Sequence, residues 1–215
     1  MSLRILGKAA SINVRKVLWA SDELGLAIER EDWGSGFQPT DTPAFRVLNP
    51  NAMVPVLVER DDSGAAADFV LWESNAICRY LAARERRCDL LGATPRERAR
   101  VEQWMDWQAT ELNNSWRYVF MSRVRHSPAH QDPDALRAGE AGWVRHMQIL
   151  DGQLTRTGAY VAGGAFTLAD VVLGLSAQRW YLTPLPRPDL PAVQAWFARL
   201  QQREAFRRHG DNGLP

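Results

Sequence analysis

Cysteine is nearly absent. The 215 residues hold two, Cys78 and Cys88, outside any CxxC spacing, so no disulfide framework, zinc knuckle or dithiol redox pair is expected. Charge of one sign is missing as well: 26 Lys+Arg stand against 25 Asp+Glu, interspersed along the chain. That balance leaves no footprint for a phosphate backbone or an anionic membrane, and nucleic acid is excluded as an expected partner. Long apolar runs are lacking too, since no stretch approaches the roughly 20 apolar residues that span a bilayer. The opening MSLRILGK has no long apolar core of a secretory signal. A soluble, cytoplasmic protein without a membrane partner is therefore expected. The four histidines mark no metal site: Pro128 lies between His126 and His130 and breaks the helix that would align them.

What is present is ordinary globular usage, 46% apolar and 24% charged, enough to bury a sizeable core. Cys78, between Ile77 and Tyr80 in a helical pattern, reads as a small buried hydrophobe. Tryptophan is the oddity: six of the nine lie after residue 100. A helical half so rich in aromatics has either a bulky core or an apolar pocket.

The first eighty residues alternate element types. LRIL (3–6) reads as a strand. Val14, Val17, Leu18, Ser21 and Leu24 fall at helical spacing, with Gly25 as the C-cap. LAIERED (26–32) reads as a second strand, parallel to the first because a helix intervenes. A polar loop from Gly34 to Thr42 and the short apolar stretch PAFRVLNP follow. VPVLVER and DFVLW then form a hairpin across a turn at Asp61, Asp62, Ser63 and Gly64, and ESNAICRYLAAR closes the unit as a helix. The order is βαβ followed by ββα. From RERRCDLLGATPRER onward strand patterns disappear, and 96–125, 134–157, 167–182 and 191–207 read as helices with apolar stripes. The fold class is thus a small α/β domain followed by an all-helical one.

Three short segments carry chemistry. At the first helix Ser11 and Asn13 are both good N-caps, and one cap is enough, so the other is free to donate to an anion at the positive end of the helix dipole. In NPNAMVPVL, a cis Val54-Pro55 bond would hold Val54 extended with its N–H and C=O outward, able to pair with a bound peptide; the isomer is open. In LWESNAICRYLA, Ser74 and the free N–H groups suit a carboxylate while Glu73 accepts from an ammonium. Together Glu73 and Ser74 suit the zwitterionic end of an amino acid.

In this order, SINVRKV, NPNAMVPVL and WESNAICRYLA resemble the active-site serine, cis-proline and γ-glutamyl-binding segments of the glutathione transferases. GGAFTLADVVLG resembles the capping-box segment of that family's helical domain, with Thr167 as the cap and Asp170 reaching back. The charged stretch with Gly92 and Pro95 reads as a linker, 83–95, and the resemblance implies an N-terminal thioredoxin-like domain over 1–82. It implies a C-terminal helical bundle over 96–215 and a homodimer. WQATEL (107–112) and the serine at the first helix look closest to theta-like and related bacterial members.

The resemblance also implies a reaction: the thiolate of glutathione attacks an apolar electrophile, as in detoxification. Ser11 is the first candidate for donor to the sulfur and Asn13 the alternative. Val54, beside Pro55, would pair with the cysteinyl backbone, and Glu73 with Ser74 would hold the γ-glutamyl end. At the glycine carboxylate Gln38 is a candidate, while Met53 replaces the basic or polar side chain of many relatives. Val101, Trp104, Gln108 and Leu112 make a core stripe; Met105, Asn113, Trp116 and Phe120 make the neighbouring face, read as the electrophile wall or else as dimer contact or core. Alternatives are glutathione-dependent peroxide reduction, isomerisation or dehalogenation, or a non-catalytic glutathione-binding or protein-interaction member of the fold. Thiol-disulfide exchange is disfavoured because a serine, Ser11, stands where it needs a cysteine.

Overall fold

The structure, a computed structural model, describes residues 2–60 and 67–215 and divides into two compact units, Met1–Cys88 and Asp89–Pro215. The expected turn at Asp61, Asp62, Ser63 and Gly64 lies outside the described residues.

The first unit follows the alternation of its sequence: β1 (Ser2–Leu6), α1 (Ile12–Leu24), β2 (Glu29–Glu31), α2 (Pro43–Leu48), β3 (Val56–Arg60), β4 (Phe69–Trp72) and α3 (Ser74–Arg84). The sheet order is β2-β1-β3-β4. β1 and β2 are parallel, as the helical crossover dictates, and β3 runs antiparallel to both β1 and β4. The register opposes Leu6 to Val56 and Ile5 to Leu57. Side chains alternate along a strand, so Leu6, Val56 and Val58 join Phe45 of α2 in one cluster, and Ile5 and Leu57 are buried on the opposite face. α1 and α3 pack against each other. The Tyr80 hydroxyl and Arg84 Nε (3.1 Å) both donate to the buried Glu59 of β3, anchoring α3 to the sheet.

Local differences from the sequence reading have visible causes. β2 starts only at Glu29 because Gly25 adopts a left-handed conformation and Leu26 N–H donates to Ser21 O at 3.0 Å, which completes the exit from α1. PAFRVL forms α2, capped by Thr42 Oγ1, which accepts from Phe45 N–H at 3.2 Å.

The second unit is helical, as expected. After α4 (Cys88–Leu91), which straddles the boundary of the two units, come α5 (Pro95–Trp107), α6 (Asn113–Arg123), α7 (Pro133–Thr157), α8 (Leu168–Leu182), α9 (Pro191–Gln201) and α10 (Glu204–His209). The helix expected over 96–125 is interrupted by a π-helical turn at Gln108–Leu112, where the buried Gln108 donates to Ser176 Oγ of α8 at 3.0 Å. The helix expected over 191–207 breaks at Arg203, whose extended conformation caps α10 and lets Phe206 become fully buried. The capping box at Thr167 and Asp170 forms. The fully buried Asp170 carboxylate accepts from Thr167 N–H, Val161 N–H and Trp196 Nε1, each at 2.9 Å. Among the described residues no helix is long and apolar enough to cross a membrane.

Candidate functional site

The N-terminus of α1 is a cap with an idle side chain. Ser11 is extended (φ −77°, ψ 123°) and its carbonyl accepts from Arg15 N–H at 2.9 Å, but its hydroxyl does not cap the helix. The half-buried side chains of Ser11 and Asn13 have no hydrogen-bond partner among the described residues. The first-turn N–H groups of a helix have no intrahelical acceptor either, so this end is rich in donors.

The loop leading to β3 is built around Asn49. Its side chain is buried, with Oδ1 accepting from Asn51 N–H at 3.0 Å and Nδ2 donating to Met53 O at 2.8 Å. Ala52 sits at φ 53°, a left-handed conformation that closes the turn through Ala52 N–H to Asn49 O at 2.9 Å. The Val54-Pro55 bond is cis, and the Val54 N–H and C=O have no hydrogen-bond partner among the described residues. Gly7, at the end of β1, packs against this point. A Cβ there would lie 2.5 Å from Val14 Cγ2 and 3.1 Å from Val54 Cβ, so the missing side chain lets the loop approach α1.

At the head of α3, Glu73 takes φ 71°, ψ 111°, a conformation that costs a non-glycine residue about 1–3 kcal/mol and is found at functional sites. Its carboxylate is exposed, while Ser74 is buried; neither side chain has a partner among the described residues. Behind them Lys16 Nζ of α1, itself buried, donates to Asn75 Oδ1 at 3.3 Å and links the two helix heads.

These segments meet around one cavity of about 410 Å³, lined by Asn13, Met53, Val54, Pro55, Glu73 and Ser74. Asn49 and Asn51 also line it; the Asx-turn potential of NPN was the signal that could have found them. Ser11 is not among the lining residues. Gln38 is exposed and outside the lining, its carbonyl accepting from Gly34 N–H at 2.8 Å. Donors for an anion, an acceptor for an ammonium and a free extended main chain suit the polar groups of a small peptide.

In the helical unit, Val101, Trp104, Gln108 and Leu112 are buried, as the core stripe requires. Three residues of the neighbouring face are buried too: Met105, Trp116 and Phe120 are 0%, 7% and 5% exposed, and only Asn113 is half-buried. The open face expected there is closed at those three positions; α6 packs against α7 here, with the Trp116 ring centroid 6.3 Å from that of Trp143. The Arg179 guanidinium lies over the Trp116 ring at 4.4 Å and over Phe120 at 4.1 Å.

The chain matches the family model for the glutathione S-transferase N-terminal domain over residues 10–84 and that for the C-terminal domain over residues 133–199. It is 35% identical over 209 residues to glutathione S-transferase GstB of Escherichia coli, covering 96% of each chain. It is 30% identical over 214 residues to glutathione S-transferase 3 of Zea mays, covering 96% of this chain and 92% of that one. Among solved structures, the theta class glutathione S-transferase of Xanthomonas axonopodis pv. citri with glutathione bound superposes with a TM-score of 0.88 at 39% identity, covering 100% of this chain and 99% of that one. With both halves of the sequence and the whole fold in agreement, this chain belongs to the glutathione S-transferase family.

Proposed function

We propose that this chain is a glutathione transferase that binds glutathione in the cavity at the heads of α1 and α3 and moves alkyl or aryl groups from apolar electrophiles onto its sulfur. The observation that carries the reading is the convergence of Asn13, Val54 and the Glu73-Ser74 pair on one cavity with their polar groups unspent. Ser74 and the first-turn N–H groups of α3 hold the γ-glutamyl carboxylate, Glu73 accepts from its ammonium, and Val54 pairs with the cysteinyl main chain. The Xanthomonas structure, described as having glutathione bound, supports glutathione as the co-substrate. Residues 1–82 are assigned to glutathione and 96–215, after the linker 83–95, to the electrophile. The enzyme works as a cytoplasmic homodimer without a metal.

The chemistry asks for an anion. A thiol of pKa about 8.5 is only a few per cent thiolate at neutral pH, and lowering it by about two units takes about 2.7 kcal/mol. One hydrogen bond to a charged group contributes roughly 1.5–3 kcal/mol, and the positive end of α1 adds about 0.3–1 kcal/mol. The lining position of Asn13 favours its amide as the donor, with Ser11, two residues earlier, as the alternative. The thiol proton goes to solvent, the sulfur forms a bond to the electrophilic carbon, and the leaving group departs with its bonding pair. The helical unit supplies the electrophile contacts, with the half-buried Asn113 as their polar group.

Calorimetric titration with glutathione, coupled to thiolate absorbance across pH and a panel of electrophiles and peroxides, tests the proposal. Binding with a thiol pKa below that of free glutathione, and turnover of an alkyl or aryl electrophile, are expected; no binding overturns the proposal.

A further inference from the structure

The two helix heads that frame the cavity are not ordered by their own caps. Ser11 at α1 and Glu73 at α3 make no side-chain cap hydrogen bond, and a cap would occupy first-turn N–H groups that a bound ligand could use. A head that keeps those donors open has to be held from another side.

Lys16 and Asn75 provide that hold. Lys16 lies three residues after Asn13 on α1, one turn along the same face. A helical side chain leans back over the turn before it, which carries the Lys16 ammonium toward the head of α1. Asn75 directly follows Ser74 in the first turn of α3. Both side chains are buried, and Lys16 Nζ donates to Asn75 Oδ1 at 3.3 Å. Since Asn13 and Ser74 line the cavity, the bridge ties its two helical walls together within one turn of the lining residues. The ammonium is felt inside α3 as well: burial pushes the Cys78 thiol up to about 12, and Lys16 is the first of the groups that pull it back. Whatever its partners, an ammonium is costly to bury, and an apolar side chain of the same length would pack there without that cost. Stability alone does not ask for a lysine at this place.

We propose that Lys16 is a positioning residue of the glutathione site: through Asn75 it sets the spacing between the heads of α1 and α3, and with it the spacing of Asn13 from Ser74 across the cavity. This rests on the glutathione reading above. A ligand that touches both walls is sensitive to that spacing, whichever of its groups meets which wall.

The test is glutathione affinity, by calorimetric titration of the full chain, in Lys16→Met, Asn13→Ala, Ser74→Ala and the two pairings of Lys16→Met with the others. Methionine keeps the length of the stem and removes the donor. Lys16→Met is expected to weaken binding by about three- to thirtyfold, and each double variant to fall short of the product of its two single effects, because a wall already out of place has less to lose. Asn75→Ala removes the acceptor instead and is expected to reproduce the loss, so the test holds even where Lys16→Met folds poorly. A merely structural loss lowers affinity by the same factor in every background. Affinity within about threefold of wild type in both Lys16→Met and Asn75→Ala, or effects that multiply in the double variants, overturns the inference while wild-type binding leaves the glutathione reading standing. Failure of the wild type to bind glutathione removes that reading, and this inference with it.

Discussion

The side-chain amide of Asn49 donates to the main-chain carbonyl of Met53 at 2.8 Å, and through that bond a buried asparagine shapes the chain entering Val54. Replacing Asn49 by alanine removes its bonds to the Met53 carbonyl and the Asn51 N–H, both on exposed residues that water reaches, a loss of about 0.5–1.5 kcal/mol per bond. Chemical denaturation of Asn49→Ala is expected to show that loss. Its KM for glutathione should rise more than its kcat falls, because the damage is to positioning.

Gly7 predicts a second positional effect. Its missing Cβ admits Val14 and Val54 to within contact, so Gly7→Ala pushes the loop away from α1. Overpacking of this kind costs about 1–3 kcal/mol. Titration calorimetry is expected to show weaker glutathione binding than in wild type, while helicity by circular dichroism is retained.

Asp170 is the hub of the helical unit. Removing its carboxylate strands Trp196 Nε1, Val161 N–H and Thr167 N–H in the interior, and Asp170→Ala is expected to lose about 3–5 kcal/mol in urea denaturation. Burial pushes the carboxyl up from 3.8 to about 6, against the pull of its N–H donors. A folded-state pKa above the unfolded one means that the folded chain holds the proton more tightly, so this group adds stability as pH falls from about 6 toward 4. Asp170→Asn cannot titrate. The stability gap between wild type and Asp170→Asn is therefore expected to widen over that interval; a narrowing gap would show that the donors outweigh burial.

The two cysteines differ in reach. Cys78 is fully buried and its thiol is pushed up to about 12 by burial, whereas Cys88 is exposed. An aromatic disulfide reagent is expected to modify one thiol per native chain, with the second appearing only in denaturant. Cys88→Ser should leave the native protein unreactive.

Periodicity and capping carried much of this architecture into view. LRIL and VPVLVER were legible as the strands β1 and β3, and Thr167 with Asp170 announced the start of α8. Features made by distant partners were invisible. The π-helical turn exists because Gln108 meets Ser176, 68 residues away, and no local signal encodes that meeting. A stripe at helical spacing says that Trp116 and Phe120 share a face; it does not say that Arg179 of α8 will cover them. At the cavity, the segments NPNAMVPVL and WESNAICRYLA and their resemblance to the family pointed to Val54, Glu73 and Ser74, whereas Asn49 acquires its role only once its loop has closed around it. The two caps Ser11 and Asn13 are equivalent in one dimension; in the fold Asn13 lines the cavity, and the Ser11 hydroxyl, two residues earlier, makes no cap bond.

The account stands most directly on the thiol pKa of bound glutathione, read by ultraviolet thiolate absorbance in wild type, Ser11→Ala and Asn13→Ala. The expected result is a pKa about two units below that of the free thiol in wild type, restored toward the free value by Asn13→Ala and far less by Ser11→Ala. A pKa unchanged from free glutathione in the wild-type complex would contradict the account.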